Sequence, residues 1–98
     1  MSVSVYQFSS ETCAPCKAIK HTLQDLRDEF LQANWFCVDI KDDPTGLAQK
    51  YNVSIVPTVV VEAKDVLGKP ISIEKHSGTN IAGYYRIIRN ALRLIQQS

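Results

Sequence analysis

Apolar positions along this chain recur with two periods, and the switches between them divide it into strands and helices. Val3-Ser4-Val5-Tyr6-Gln7-Phe8 is apolar on both alternating faces apart from Ser4 and Gln7, which suits a strand in the middle of a covered sheet. After the polar loop Ser9-Ser10-Glu11-Thr12, the residues Cys16, Ile19, Leu23, Leu26 and Phe30 step by three or four. Lys17, Lys20, Gln24, Arg27 and Asp28 occupy the other faces, so a helix is predicted from Pro15 to Gln32. Pro15 fits its first turn, where a missing N–H costs nothing. Trp35 to Ile40 reads as a second strand, ended by a turn at Lys41-Asp42-Asp43, and Pro44 opens a short helix through Leu47, Ala48 and Tyr51.

The β-branched run Val59-Val60-Val61 predicts a buried strand, with Pro57 at its beginning because proline cannot donate to a ladder. Ala63 to Lys69 reads as a loop into a fourth strand, Ile71 to Lys75, which alternates as an edge strand would. Gly78 breaks that strand, and Thr79 or Asn80 caps a last helix with the stripe Ile81, Tyr84, Ile88, Leu92 and Ile95. The order is β-α-β-α-β-β-α, an α/β fold.

With 98 residues there is room for one hydrophobic core, and no linker or repeat divides the chain, so residues 1–98 read as a single domain. Charge changes this picture little. A net charge of +1 supplies no field to recruit nucleic acid or an anionic membrane. Arg86, Arg89 and Arg93 form a stripe on the last helix, but no aromatics are interleaved with them, so they read as a solvated face. No apolar stretch approaches membrane-spanning length, and the first residues lack the features of a signal peptide. Three cysteines, an odd number, do not make a secreted disulfide framework, so a reducing, cytoplasmic setting is expected.

The chemistry sits at Cys13-Ala14-Pro15-Cys16, where a strand turns into a helix. A helix N-terminus offers unpaired N–H groups and partial positive charge, both of which stabilise a thiolate. Such a thiolate can attack a disulfide, and a second thiol two residues further along can resolve the mixed disulfide. Cys16 is in register with the core stripe and Cys13 precedes it, so Cys13 is the expected attacking sulfur and Cys16 the buried resolving one. A zinc site would need four ligands; Cys37, His21 and His76 are the remaining candidates and lie on three separate elements, so no metal is expected. Cys37 reads as a buried small hydrophobe on a strand, the alternative being a third thiol near Cys16 that could be oxidised or trapped and so modulate it; His21 and His76 read as surface residues.

Taken together, Cys13-Ala14-Pro15-Cys16 after the first strand, Asp43-Pro44, Val56-Pro57-Thr58 before the third strand and Ser77-Gly78 before the last helix resemble the thioredoxin family over nearly the whole chain. The resemblance implies a four-stranded mixed sheet with helices on both faces, and a cis peptide at Val56–Pro57 facing the dithiol. It implies a protein disulfide reductase needing no cofactor beyond a Cys13–Cys16 redox-active disulfide. Its targets would be disulfide-containing proteins bound along Thr12, Val56, Thr58, Ser77 and Gly78, and its electron donor a reductase or glutathione. A monomer is expected. The chain departs from the family in several places. It begins at the family's second strand, Ala14 replaces glycine, Thr12 stands where tryptophan is usual, and the stretch between Thr58 and Gly78 is longer. By register, Gln7 replaces a buried aspartate behind the resolving cysteine, and Cys37 replaces that aspartate's lysine partner. Two rival readings are a glutaredoxin using glutathione and a binding module that holds a partner protein, its redox chemistry incidental. No set of glutathione-carboxylate contacts is evident, and Ala14-Pro15 favours the thioredoxin side.

Overall fold

A computed structural model describes residues 1–96. The elements follow the expected order: β1 Ser2–Ser9, α1 Ala14–Glu29, β2 Asn34–Asp39, α2 Leu47–Lys50, β3 Thr58–Lys64, β4 Pro70–Ser77 and α3 Ile81–Gln96. The strands form one sheet in the order β2-β1-β3-β4. β1 runs parallel to β2 and antiparallel to β3, and β3 pairs antiparallel with β4. The sheet is therefore mixed, and the two strands apolar on both faces, β1 and β3, lie in its centre.

Alternation along β1 and β3 builds two cores. Val3, Val5, Val59, Val61 and Ala63 pack with α1 and α3 through Ile19, Leu23, Leu26, Tyr84, Ile87, Ile88 and Leu92. On the other face Tyr6, Phe8, Val38 and Val60 pack with Tyr51 and the partly buried Leu47 and Ala48 of α2. Opposite parity along a strand means opposite faces, so helices cover both sides of the sheet.

Several boundaries differ from the expected ones. α1 ends at Glu29 rather than Gln32, with Phe30 as its C-cap, and Phe30 itself is buried in the core. Pro44 lies in a turn rather than at the start of α2. The carboxylate of Asp43 accepts the N–H groups of Leu47 at 3.0 Å and Ala48 at 2.8 Å, and Gly46 precedes the helix with φ 68, a conformation glycine adopts without penalty. β3 continues through Lys64, so Ala63 is fully buried strand, and the connection is only residues 65–69. Glu62 is what made this segment look like a loop; it is buried, but it accepts the Tyr51 hydroxyl at 3.2 Å and lies 3.4 Å from Lys64 Nζ. The start of α3 is as expected: Asn80 caps it, its Oδ1 accepting Ala82 N–H at 3.1 Å, and the buried face of the helix also includes Ile87 and Ala91.

Candidate active site

The dithiol stands at the C-terminal end of β1, a central strand, where the chain must turn to enter α1. Ser10 makes that turn: its carbonyl accepts Cys13 N–H at 3.2 Å and its hydroxyl lies 3.2 Å from Thr12 Oγ1. Cys13 is the N-cap of α1, in an extended conformation, and its sulfur accepts the Cys16 N–H at 3.2 Å. A helix-start amide is thus pointed at the sulfur, as the sequence argument requires. Cys13 and Cys16 are joined in a disulfide with Cα atoms 5.2 Å apart. Cys16 is buried and Cys13 partly exposed, with Ala14 and Pro15 exposed between them.

The loop before β3 closes over this pair. The Val56–Pro57 peptide is cis, and the Val56 carbonyl oxygen lies 3.7 Å from Cys13 Sγ. The far side of the loop is tied down at several points. Pro57 O accepts Gly78 N–H at 3.0 Å and the Tyr84 hydroxyl at 3.4 Å, and that hydroxyl also donates to Gly78 O. Gly78 has φ 101, so a side chain there would be strained. Thr58 is 1% exposed; its hydroxyl contacts Ile55 O at 2.7 Å and Ser77 Oγ at 2.6 Å. It holds the Pro57 loop to the end of β4 and offers no surface to a target. Val56, Ser77 and Gly78 keep partial exposure around the dithiol, and Thr12 is exposed beside it. Lys41 Nζ donates to Thr12 Oγ1 at 2.9 Å, a contact between two turns far apart along the chain that no local pattern foretells.

Tyr84 was legible only as part of an apolar stripe. Its ring is fully buried, and burial pushes its hydroxyl pKa up to about 12. Its two carbonyl acceptors make it the link between α3, the Pro57 loop and Gly78.

Behind Cys16 lies an open cleft of about 700 Å³ lined by Gln7, Ser9, Ser10, Cys16, Arg27 and Cys37, with Glu11, Lys17, Lys20 and Gln24 along its wall. Gln7 and Cys37 are register partners on β1 and β2, so both face α1. The structure thus brings Gln7 and Cys16 to one cavity. Gln7 Oε1 is buried there without a hydrogen-bond partner. Cys37, expected to be buried, is exposed, because β2 is the edge of the sheet and no strand covers its outer side. Its sulfur accepts an N–H from Arg27 Nη2 at 2.9 Å, and the same guanidinium lies 6.0 Å from the centre of the Trp35 ring.

His76 also departs from expectation. It is half-buried, its Nε2 lacks a hydrogen-bond partner, and its ring meets Tyr84 edge-on at 5.0 Å and packs against Gly83. His21, Arg86, Arg89 and Arg93 are exposed, and Arg89 donates to the Tyr85 hydroxyl at 3.0 Å. Among the described residues, no group of three or more His, Cys, Asp or Glu side chains is placed to hold a metal ion. No helix among them is long and apolar enough to cross a membrane.

Residues 2–82 match the family model described as Thioredoxin. A thioredoxin of Mycoplasma genitalium is 37% identical over 57 residues, covering 58% of this chain and 55% of that protein. Thioredoxin-1 of Saccharomyces cerevisiae is 29% identical over 82 residues, 78% of this chain and 79% of the yeast protein. The chain therefore spans little more than half of the first relative and about four-fifths of the second. Among solved structures, the thioredoxin of Fasciola hepatica superposes with a TM-score of 0.75 at 26% identity, over 92% of this chain and 81% of that one. A Cys-x-x-Cys at the head of α1, a cis proline loop above it, the mixed four-stranded sheet and a family match across most of the sequence converge: this chain belongs to the thioredoxin family.

Proposed function

We propose that the chain is a protein disulfide reductase working by thiol–disulfide exchange through Cys13 and Cys16. The observation that carries this reading is the asymmetry of the pair. The more exposed sulfur of Cys13 receives a helix-start N–H beside the Val56 carbonyl, while Cys16 is buried beneath it. In the reduced protein the Cys13 thiolate attacks a target disulfide, forming a mixed disulfide and releasing one target thiolate. Cys16 then attacks the Cys13 sulfur, the Cys13–Cys16 bond forms, and the second target thiolate leaves with its electron pair. The target lies extended across Thr12, Val56, Ser77 and Gly78, whose partial or full exposure around Cys13 supports that placement. A dithiol reductase or glutathione returns the two electrons. The exposed, unpaired thiol of Cys37 fits a monomer working in a reducing, cytoplasmic setting.

The test is reduction of insulin disulfides with dithiothreitol as electron source. Wild type should accelerate it, Cys13→Ser should abolish the acceleration, and Cys16→Ser should accumulate a mixed disulfide on Cys13. Wild type and Cys13→Ser proceeding at the uncatalysed rate would overturn the reading in favour of a binding module.

A further inference from the structure

The dithiol has two rims, and they differ in charge. On the side of the Pro57 loop, residues 54–58 and 77–80 contain no charged side chain. On the other side, the turn after β2 brings Lys41 to the loop that carries Cys13. Two contacts fix that turn: Ser9 O accepts Ile40 N–H at 3.1 Å, and the Asp39 carboxylate accepts Lys41 N–H at 2.9 Å. The Lys41 ammonium then donates to Thr12 Oγ1 at 2.9 Å, and Thr12 Oγ1 lies 3.2 Å from the hydroxyl of Ser10, a buried residue. The ammonium is thus anchored on the residue next to Cys13. Consecutive Cα atoms are about 3.8 Å apart, which keeps it within roughly 12 Å of the Cys13 sulfur.

An ammonium has three N–H donors, and Thr12 takes one. Lys41 and Thr12 are both exposed, so the other two donors remain open to a molecule lying across Thr12. We propose that Lys41 is a specificity-determining residue, favouring disulfides that carry a carboxylate beside the sulfur attacked by Cys13. This assignment rests on the disulfide-reductase reading above and deepens it by naming a class of target: acidic on the Lys41 side and uncharged along the Pro57 loop. The exchange chemistry is unchanged. The Cys13 thiolate bonds to one target sulfur as the other leaves with its electron pair, and Lys41 holds the neighbouring carboxylate without taking a proton or an electron. Charge complementarity of this kind chooses among partners and speeds their encounter more than it tightens binding.

Other charges in the neighbourhood are placed differently. Glu11 and Lys17 are the charged residues nearest Cys13 in sequence, and both line the cleft behind Cys16. Near Lys41, the Asp39 carboxylate is engaged with the Lys41 backbone and that of Asp43 with the N–H groups of Leu47 and Ala48, while Asp42 is exposed. Among the described residues, Lys41 is the charged side chain hydrogen-bonded to a residue adjoining Cys13. A carboxylate brought to about 4 Å from an exposed ammonium is favoured on the order of fivefold in water. That is enough to rank targets and too little to be a condition for turnover.

The experiment mixes reduced protein with three aliphatic disulfides: 3,3′-dithiodipropionate, a dianion; 2-hydroxyethyl disulfide, neutral; and cystamine, a dication. Reactions are quenched in acid with N-ethylmaleimide and digested with trypsin. Formation of the Cys13–Cys16 bond is read by mass in the peptide Met1–Lys17, which does not contain Cys37. Each rate is divided by that of the same disulfide with dithiothreitol, which removes its intrinsic reactivity. Wild type should prefer the dianion to the dication by on the order of fivefold at low ionic strength, and should lose most of that preference in molar salt. Lys41→Met should remove most of the preference and Lys41→Glu should reverse it. Arg93→Glu makes the same change of charge about 18 Å along α3 from Ile81, and should leave the preference as in wild type. The neutral disulfide reports any general change in Cys13 reactivity, which would move all three rates together. A wild type that treats dianion and dication alike would overturn the proposal, as would an unchanged preference in Lys41→Glu or an equal change in Arg93→Glu. Three rates that only move together would overturn it as well. These failures leave the reductase reading standing. That reading fails separately if none of the three disulfides joins Cys13 to Cys16.

Discussion

Two cysteines two residues apart differ here because one caps a helix and the other is inside it. The Cys13 sulfur receives an N–H from the first turn and retains access to solvent, while Cys16 shares the buried stripe of Ile19 and Leu23. In the reduced protein, single-cysteine variants should therefore differ in reactivity. Cys16→Ser, retaining Cys13, should be alkylated by iodoacetamide on the order of tenfold faster at neutral pH than Cys13→Ser. The reverse order would mean that the roles of the two sulfurs are exchanged. Both variants need Cys37→Ser in the background, because that exposed thiol would otherwise report instead. Gln7 offers a second test at this scale. Its Oε1 lacks a partner in a buried position, so Gln7→Asp puts a carboxylate where an uncharged amide is already poorly satisfied. The variant should lose on the order of 2 kcal/mol in a urea titration, with the carboxyl titrating above the ordinary carboxylate range. It should at the same time resolve the mixed disulfide faster, since a carboxylate facing Cys16 can hold its proton. A faster variant with no loss of stability would show that the position is already hydrated.

At the scale of elements, α3 contains a glycine whose helix propensity argues one way and whose packing argues the other. Alanine is favoured over glycine in a helix by about 1 kcal/mol. At Gly83, however, an added methyl would fall inside the imidazole of His76, which stands on β4 and is wedged against Tyr84. Overpacking of this kind costs about 1–3 kcal/mol, so Gly83→Ala should lower the thermal midpoint, and His76→Ala in the same chain should recover it. Raised stability in the single variant would mean that the ring moves aside freely. Neither Gly83 nor His76 was legible beforehand, because their contact joins a strand and a helix with no shared period. The elements themselves were readable wherever one face was apolar, as in α1, β1 and the valine run of β3. Reading failed at Ala63, where Glu62 and Lys64 gave the strand a loop-like composition although their charges are satisfied by each other and by Tyr51. It failed at Pro44 because Asp43 and Gly46, not proline, set the start of α2. Of the site, the dithiol and the proline loop were readable, since their chemistry is local in sequence. The exposure of Cys37 and its contact with Arg27 were not, because they depend on which strand forms the edge of the sheet.

Across the whole molecule, Tyr84 joins three segments distant in sequence: its ring fills the core under β3, and its hydroxyl reaches Pro57 O and Gly78 O. This makes the proline loop part of the global fold and gives stability a pH dependence of definite sign. In the unfolded chain the tyrosine ionises at about 10, whereas burial raises the folded value to about 12. Above about pH 10 the unfolded state therefore binds fewer protons than the folded one, and stability must fall as pH rises. The loss continues until the folded group ionises at about 12. Tyr51 acts in the same direction, its hydroxyl pushed up by burial and by its neighbours Tyr6 and Glu62. Urea midpoints of the oxidised protein should thus decline between about pH 10 and about pH 12, more steeply than those of Tyr84→Phe. Near neutral pH the variant should be the less stable of the two by about 1–2 kcal/mol, because Pro57 O and Gly78 O lose a donor. That difference should shrink as pH rises, since the variant has no hydroxyl at position 84 to ionise. A constant difference across the range would mean that the Tyr84 hydroxyl ionises alike in both states, and that the link between α3 and the proline loop does not persist in solution.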